Sequence, residues 1–279
     1  MTQPKDRITT ATVVRTTRPT PHLVRVVLGG PELAGLPIGE FTDHYVKLLF
    51  PYPGTELPEP FDLDAVRRDL PRERWPRLRA YTVRAFDPAA AELTIDVVHH
   101  GEQGLGGPWA AAARPGDRVL FRGPGGAYAP DPAADWHLLV GDESALPAIA
   151  ASLERLPAGA DARVFVEVSG PAEEQPLATA ADARVVWLHR GVRPVGAALV
   201  DAVRALQFPA GVVHAFVHGE AGFVRQLRRF LRVERGVPVD RLSISGYWRL
   251  GVDDEGWRAA KAEWKRQVEV DELTPTARP

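Results

Sequence analysis

The chain contains no cysteine. That absence excludes disulfides, thiolate nucleophiles, cysteine-ligated zinc and cysteine-held iron–sulfur clusters. Any redox chemistry must therefore run through a bound or diffusible cofactor. Long hydrophobic runs are also missing: nothing approaches the roughly 18 apolar residues that span a bilayer. The opening MTQPKDRITT has no apolar stretch of the kind that a secretory signal needs. These absences point to a cytoplasmic protein with no membrane insertion. Nor is there a surplus of charge. A net charge of -2 lacks the basic excess of a nucleic-acid-binding protein, so attraction for an anionic ligand must come from a local patch.

What is present has the texture of a globular protein of two domains, which a length of 279 residues accommodates. Before residue 130, β-branched and apolar residues come in short runs. They are ITTATVVR (8–15), HLVRVVL (22–28), HYVKLLF (44–50), RAYTVRAF (79–86), ELTIDVVHH (92–100) and RVLFRG (118–123). Gly- and Pro-containing turns separate them, the pattern of an antiparallel barrel. Residues 51–76, with prolines at 51, 53, 58, 60, 71 and 76, form a long insertion with one helix expected around Asp62–Leu70. The segment AYAPDPAADWH (127–137) reads as a linker.

Beyond the linker, apolar strands alternate with helical patterns: WHLLVG (136–141), RVFVEV (163–168), RVVWL (184–188), VVHAFVH (212–218) and RLSISG (241–246). Helices are expected around Ser144–Leu156, Val195–Leu206 and Ala221–Val233, and the connection after the second strand is short for one. In the last of these, Phe223, Leu227, Phe230 and Leu231 recur at helical spacing and leave Arg225, Arg228, Arg229 and Arg232 on other faces. Such alternation specifies a parallel sheet. The closing DDEGWRAAKAEWKRQVE (253–269) is an amphipathic helix with Trp257, Ala260, Trp264 and Val268 on one side.

Three segments carry candidate chemistry. In RAYTVR (79–84), strand alternation sets Arg79, Tyr81 and Val83 on one face and Ala80, Thr82 and Arg84 on the other. An aromatic ring, a hydroxyl and an arginine fork suit an isoalloxazine and a phosphate, though an ordinary barrel strand with two solvated arginines reads the same way. GEQGLGGPWA (101–110) is a Gly-rich loop opening an Ala-rich helix, either an anion site or a capped turn. VGDESALPAIA (140–150) is a strand, turn and helix start, placed where open α/β sheets bind ligands. It lacks a GxGxxG fingerprint, Asp142 and Glu143 would repel a phosphate, and Ser144 is an adequate N-cap. The adjacent His99 and His100 point to opposite faces of a strand, so no metal site is assigned.

Taken in order, these segments resemble the siderophore-interacting protein family within the ferredoxin-reductase-like flavoproteins. The resemblance runs through HYVKLLFP (44–51), RAYTVR, HGEQGLGGPWAAAARPGD (100–117), GDESALPAIA (141–150), VEVSGPAEEQPL (166–177), WLHRG (187–191), HGEAGFVRQLRRFL (218–231) and SGYWRLG (245–251). It implies a six-stranded antiparallel Greek-key FAD-binding barrel at 1–130, a five-stranded parallel α/β nicotinamide-binding-like domain at 131–250, and a C-terminal helix and tail at 251–279. It also implies that FAD is held by Arg79, Tyr81 and Thr82 with backbone contacts at Val98, His99 and His100. Gly106, Gly107 and Trp109 would line the pyrophosphate and adenosine end. Glu143, Ser144 and Ala145 would border the adenine or the nicotinamide approach, and Tyr247 and Trp248 would close the cleft beside the flavin.

The implied activity is reduction of a ferric siderophore by a monomer, with NADH, NADPH or a ferredoxin-type protein as electron donor. A flavin takes electrons in pairs and releases them singly, so no side chain need act as nucleophile or base. Lys47 matches the family's basic substrate pocket. The chain departs from the family at Gly125, where an arginine is frequent, at Leu250, where a second basic residue is frequent, and at Gly170, where an acid is frequent. Arg122 and Arg249 are the expected substitutes for the missing charge. The arginines of 225–235 are open to a nucleotide 2′-phosphate or to solvent. A general NAD(P)H:flavin reductase and a non-enzymatic siderophore carrier are the competing readings.

Overall fold

The computed structural model describes residues 8–52, 54–55 and 60–273, so Pro53 and Pro58 of the proline-rich insertion lie outside the described residues. The chain divides between Ala127 and Tyr128 into two units.

The first unit is a closed six-stranded barrel. Its strands are β1 (Ile8–Thr20), β2 (Leu23–Gly29), β3 (Tyr45–Phe50), β4 (Arg77–Asp87), β5 (Glu92–Val98) and β6 (Arg118–Gly125). They are ordered β1-β2-β5-β4-β3-β6, a Greek-key arrangement in which antiparallel pairing of β6 with β1 removes the exposed edges. Inward residues such as Val26, Leu28, Val46, Leu48, Ile95 and Phe121 are all nearly inaccessible and form its core. Strand β1 runs five residues beyond the apolar run that suggested it. Pairing of Thr16 with Val26 and of Thr20 with Leu23 carries the hairpin to a turn at Pro21 and His22, so tertiary pairing overrides a polar, proline-containing sequence. Helix α1 (Leu63–Asp69) starts where expected, with the Asp62 carboxylate accepting from Asp64 N at 2.9 Å and Ala65 N at 3.1 Å. Helix α2 (Gly106–Ala112) buries Ala110 against the barrel core.

The second unit holds β7 (Trp136–Asp142), β8 (Asp161–Val168), β9 (Asp182–His189), β10 (Val213–Glu220) and β11 (Leu242–Trp248) in a parallel sheet ordered β11-β10-β7-β8-β9. Every residue of the central β7 is buried, as a strand covered on both faces must be. Leu138 and Val140 enter the core shared with α4 (Ala197–Ala205), α5 (Ala221–Arg229) and α6 (Asp254–Leu273), whereas Leu139 enters the core shared with α3 (Leu146–Arg155). Between β8 and β9 there is only one 3₁₀ turn, at Pro171–Glu173. In α6, Trp257, Trp264 and Val268 are buried in the sheet's core, as their spacing requires.

Residues 127–137 are not a loose linker. Tyr128 is 3% exposed, with its ring 4.9 Å from those of both His214 and Phe216. Asp131 N donates to His214 Nδ1 at 3.0 Å, and the Asp131 carboxylate pairs with Arg241. The aromatic side chain supplies the apolar surface that anchors a segment whose prolines and acids suggested solvent.

Candidate functional site

The barrel places its candidate residues on β3, β4 and β6. Residues directly opposed across antiparallel strands share a face. Tyr45 faces Thr82 and Gly125, while Lys47 faces Ala80 and Arg122. A register irregularity in the β3–β6 pair sets both Arg122 and Gly125 opposite outward-facing residues. Lys47 and Arg122 are thus brought side by side, two basic residues opposed in register. Along β4 the expected alternation holds through Val83, which pairs with the inward-facing Ile95 and joins Tyr81 in the barrel core, and the register shifts only between Val83 and Ala85. Thr82, on the other face, is buried as well. Arg79 is half-buried, with Nη1 donating to Leu78 O at 3.0 Å.

Tyr81 faces Val46 and packs against the barrel core. Its hydroxyl occupies the space of the side chain that Gly106 lacks: a Cβ there would stand 1.5 Å from Tyr81 Oη. Gly107 approaches the end of β5 just as closely, since its Cβ would meet Val98 O at 3.3 Å and His99 Cα at 3.5 Å. Val98 closes β5; His99 follows it with its N donating to His22 O at 2.8 Å, and His100 is exposed. Trp109 stands edge-on to Phe50 at 5.8 Å. Leu105 gives the first turn of α2 no side-chain cap, and with Pro108 lacking an N–H the backbone donors of that turn are Gly106 and Gly107. An aromatic ring fitted to a Gly-rich turn, a neighbouring hydroxyl and uncapped amides suit the ring, ribityl and phosphate parts of a flavin dinucleotide.

Two residues beside this face escaped the sequence reading. His44 is buried; its Nε2 accepts from Gly39 N at 3.1 Å, so Nδ1 carries the proton and donates to Gly125 O at 3.1 Å. The ring of Tyr45 lies over Gly125, where a Cβ would meet its Cζ at 2.6 Å, and the Lys47 ammonium is 5.5 Å from its centroid. The signal for Tyr45 was its place two residues before Lys47, hence on the same face of one strand.

The second unit presents carboxylates at the carboxyl ends of its central strands. Asp142 is fully buried and accepts from Ser144 N at 2.9 Å, Ser144 Oγ at 2.5 Å, Glu220 N at 2.8 Å and Trp248 Nε1 at 2.9 Å. Burial pushes its pKa up against the pull of those donors. Arg190 bridges Glu143, at 2.6 Å, and the buried Glu167, at 2.9 Å, and Glu167 also accepts from Gly196 N at 2.8 Å. Burial likewise raises Glu143, with Arg190 opposing it. Ala145 is fully buried at the start of α3.

Tyr247 stands edge-on to His218 at 4.9 Å. His218 is itself stacked on Phe216 at 3.9 Å and hydrogen-bonded to Ser243 Oγ at 2.9 Å, and burial pushes its pKa down to about 3. Arg249 and Leu250 are exposed beyond β11. Of the arginines considered for a 2′-phosphate, α6 engages Arg225 with Asp271 at 2.5 Å, Arg228 and Arg232 with Glu272, and Arg229 with the Asp271 carbonyl, whereas Arg235 lies over the Phe208 and Phe230 rings.

Comparison with known proteins agrees with this geometry. Residues 12–128 match the siderophore-interacting FAD-binding domain and residues 134–251 match the siderophore-interacting protein domain. The chain is 48% identical over 271 residues to an uncharacterized protein of Mycobacterium tuberculosis, covering 92% of this chain and 94% of that one. It is 35% identical to the ferric vibriobactin reductase ViuB of Vibrio cholerae, covering 90% of this chain and 91% of the relative. The crystal structure of the siderophore-interacting protein SipS from Aeromonas hydrophila superposes with a TM-score of 0.80 at 32% identity, over 94% of this chain and all of that one. With matches running from the first barrel strand to the last strand of the sheet, the chain belongs to the siderophore-interacting protein family.

Proposed function

We propose that this protein is an FAD-dependent ferric-siderophore reductase that takes its electrons from NADH, NADPH or a ferredoxin-type donor. The observation that carries the reading is the opposed pair Lys47 and Arg122, on the barrel face that also carries Thr82. FAD, when bound, supplies the conversion of a two-electron donor into one-electron delivery to Fe(III). Tyr81 and Thr82 would hold the flavin ring, and the uncapped first turn of α2 would hold its phosphates. Lys47 and Arg122 would neutralise an anionic iron chelate and hold it for the transfer. Iron is substrate here, released because hard oxygen donors favour Fe(III) over Fe(II). The chain's own task is positioning, so no general acid or base is assigned.

The test is a visible spectrum of the protein as purified, followed by anaerobic addition of NADH or NADPH and then of a ferric siderophore. Flavin absorbance, its bleaching and its return on adding the chelate are the expected sequence. Colourless protein that takes up no FAD refutes the reading. In the same assay Lys47→Ala should raise KM for an anionic chelate about tenfold, roughly the 1.4 kcal/mol of one lost charge contact, at unchanged FAD content. An unchanged KM removes Lys47 from the site.

A further inference from the structure

We propose that β9, the free edge of the parallel sheet, is an interface at which a second copy of this chain adds its own β9 antiparallel, across a two-fold axis at Val186. The solution species is then a dimer, in place of the monomer that the family resemblance implies. Strand β9 has one neighbour, β8, and pairs with it without a register shift over its whole length. Its sequence DARVVWLH holds no proline or lysine, and it has no bulge, so the devices that usually blunt a sheet edge are missing. The opposite edge, β11, is irregular: its register with β10 shifts between Gly219 and Glu220. Helix α6 also packs against it, with Trp257 Cζ2 3.0 Å from where a Gly246 Cβ would stand. The barrel has no edge. Among the described residues, β9 is the long regular edge left open.

That edge is complementary to itself. Asp182 N donates to Ala160 O and Arg190 N to Val168 O, both at 2.9 Å, so the even-numbered residues of β9 turn their N–H and C=O groups to β8. Those of Val185, Trp187 and His189 point outward, and among the described residues none of them has a backbone partner there. The connection from β8 stays clear of the edge, because Leu177 packs on the α3 side of the sheet and Thr179 Oγ1 donates to Leu153 O at 2.8 Å. A two-fold that reverses a strand and keeps its faces opposes residues of the same parity. Centred on Val186, it sets Val185 against Trp187 twice, Arg184 against Leu188 twice, and Val186 against itself. Pairs of an aromatic with a β-branched residue are favourable, and no like charges meet. Centring on Arg184 opposes two arginines, and centring on Trp187 sets Arg184 against Arg190. Centring on Val185 replaces the Val–Trp pairs by Ala183 with Trp187. Val186 is 39% exposed and Val192, just past the strand, is fully exposed, apolar surface beside the edge that a second copy covers. A contact through residues 183–189 is smaller than the roughly 20–30 residues a side of a standard interface, so the dimer is of the weak class. The axis reverses strand direction, so the carboxyl ends of the two sheets point opposite ways and each keeps its own Asp142 and Glu143.

The test is disulfide trapping in the full chain, which has no cysteine of its own to interfere. In a non-hydrogen-bonded antiparallel pair the Cα atoms stand about 4.5 Å apart, within the reach of a disulfide. Val186→Cys should therefore form a covalent dimer under mild oxidation at least about tenfold faster than Val14→Cys, a barrel residue of similar exposure. Arg184→Cys and Leu188→Cys should each link poorly alone but readily when mixed, which reports the register. Sedimentation velocity over a concentration series should show the wild type passing from monomer to dimer. Val186→Lys, which sets two cations together at the axis, should raise the dissociation constant at least about tenfold at an unchanged thermal midpoint. A wild type that stays monomeric throughout, trapping of Val186→Cys no faster than of Val14→Cys, or a dimer untouched by Val186→Lys overturns the proposal. Self-linking of Leu188→Cys as fast as Val186→Cys overturns the register and with it the two-fold. None of these measurements uses flavin or iron, so their outcome is independent of the ferric-siderophore reading.

Discussion

Gly106→Ala isolates the link between the flavin strand and the Gly-rich turn. The added Cβ would stand 1.5 Å from the Tyr81 hydroxyl. Restoring van der Waals contact requires a shift of about 2 Å. Gly106 is not among the glycines with positive φ, so the backbone accepts alanine without strain. In helix α2 alanine is favoured over glycine by about 1 kcal/mol, which works in the variant's favour. Overpacking costs about 1–3 kcal/mol, so the net loss of fold stability should be at most about 2 kcal/mol. The flavin loss should be larger in consequence, because a displaced Tyr81 no longer meets the ring: about 1.4 kcal/mol or more, a tenfold or greater rise in FAD Kd. The assay is reconstitution of the FAD-free protein with FAD, followed by flavin fluorescence, alongside the thermal midpoint of the FAD-free form. Adding Tyr81→Phe removes the 1.5 Å clash but leaves ring carbon Cζ at 2.8 Å, so it should relieve the strain only in part. Wild-type FAD affinity in Gly106→Ala would refute the placement of Tyr81 at the flavin.

Acid should weaken the second unit. Burial holds His218 at about 3 and His137 at about 4, against about 6.5 unfolded, so below pH 6.5 the unfolded chain binds more protons and stability falls as pH falls. Each histidine costs about 1.4 kcal/mol per pH unit, together about 4 kcal/mol by pH 5; a urea midpoint that stays flat from pH 7 to 5 contradicts this. Arg190→Ala leaves Glu143 and the buried Glu167 without their cation and should cost about 3–5 kcal/mol, with partial recovery on adding Glu167→Gln. An unchanged denaturation midpoint would show that the bridge contributes nothing. NADH should reduce the flavin at lower concentration than NADPH. Asp142, Glu143, Glu167 and Glu220 sit at the strand ends, and Arg225, Arg228 and Arg232 are engaged by Asp271 and Glu272. A preference for NADPH in stopped-flow reduction refutes that electrostatic reasoning.

The two folds were legible because their signals are local. The apolar residues of HYVKLLF, the apolar runs of the parallel strands and the spacing of Trp257, Trp264 and Val268 each report burial within a few residues. Where a strand lacks that signal, as in the polar end of β1 at Thr16–Thr20, pairing with β2 determines the outcome and the sequence pattern understates it. Tyr128 is the reverse case, a buried residue set among prolines and acids.

The sequence by itself determined the order of barrel and sheet, the residue types available for a flavin, and the exclusion of cysteine chemistry. Only the tertiary structure decided which of those residues meet. Barrel closure and one register irregularity set Arg122 against Lys47 and Gly125 beneath Tyr45. The return of α6 across α5 engaged Arg225, Arg228 and Arg232, which local spacing alone left open to a phosphate. In each case the partners lie far apart in the chain, and such pairing depends on register and on the path of whole elements, which local periodicity does not encode.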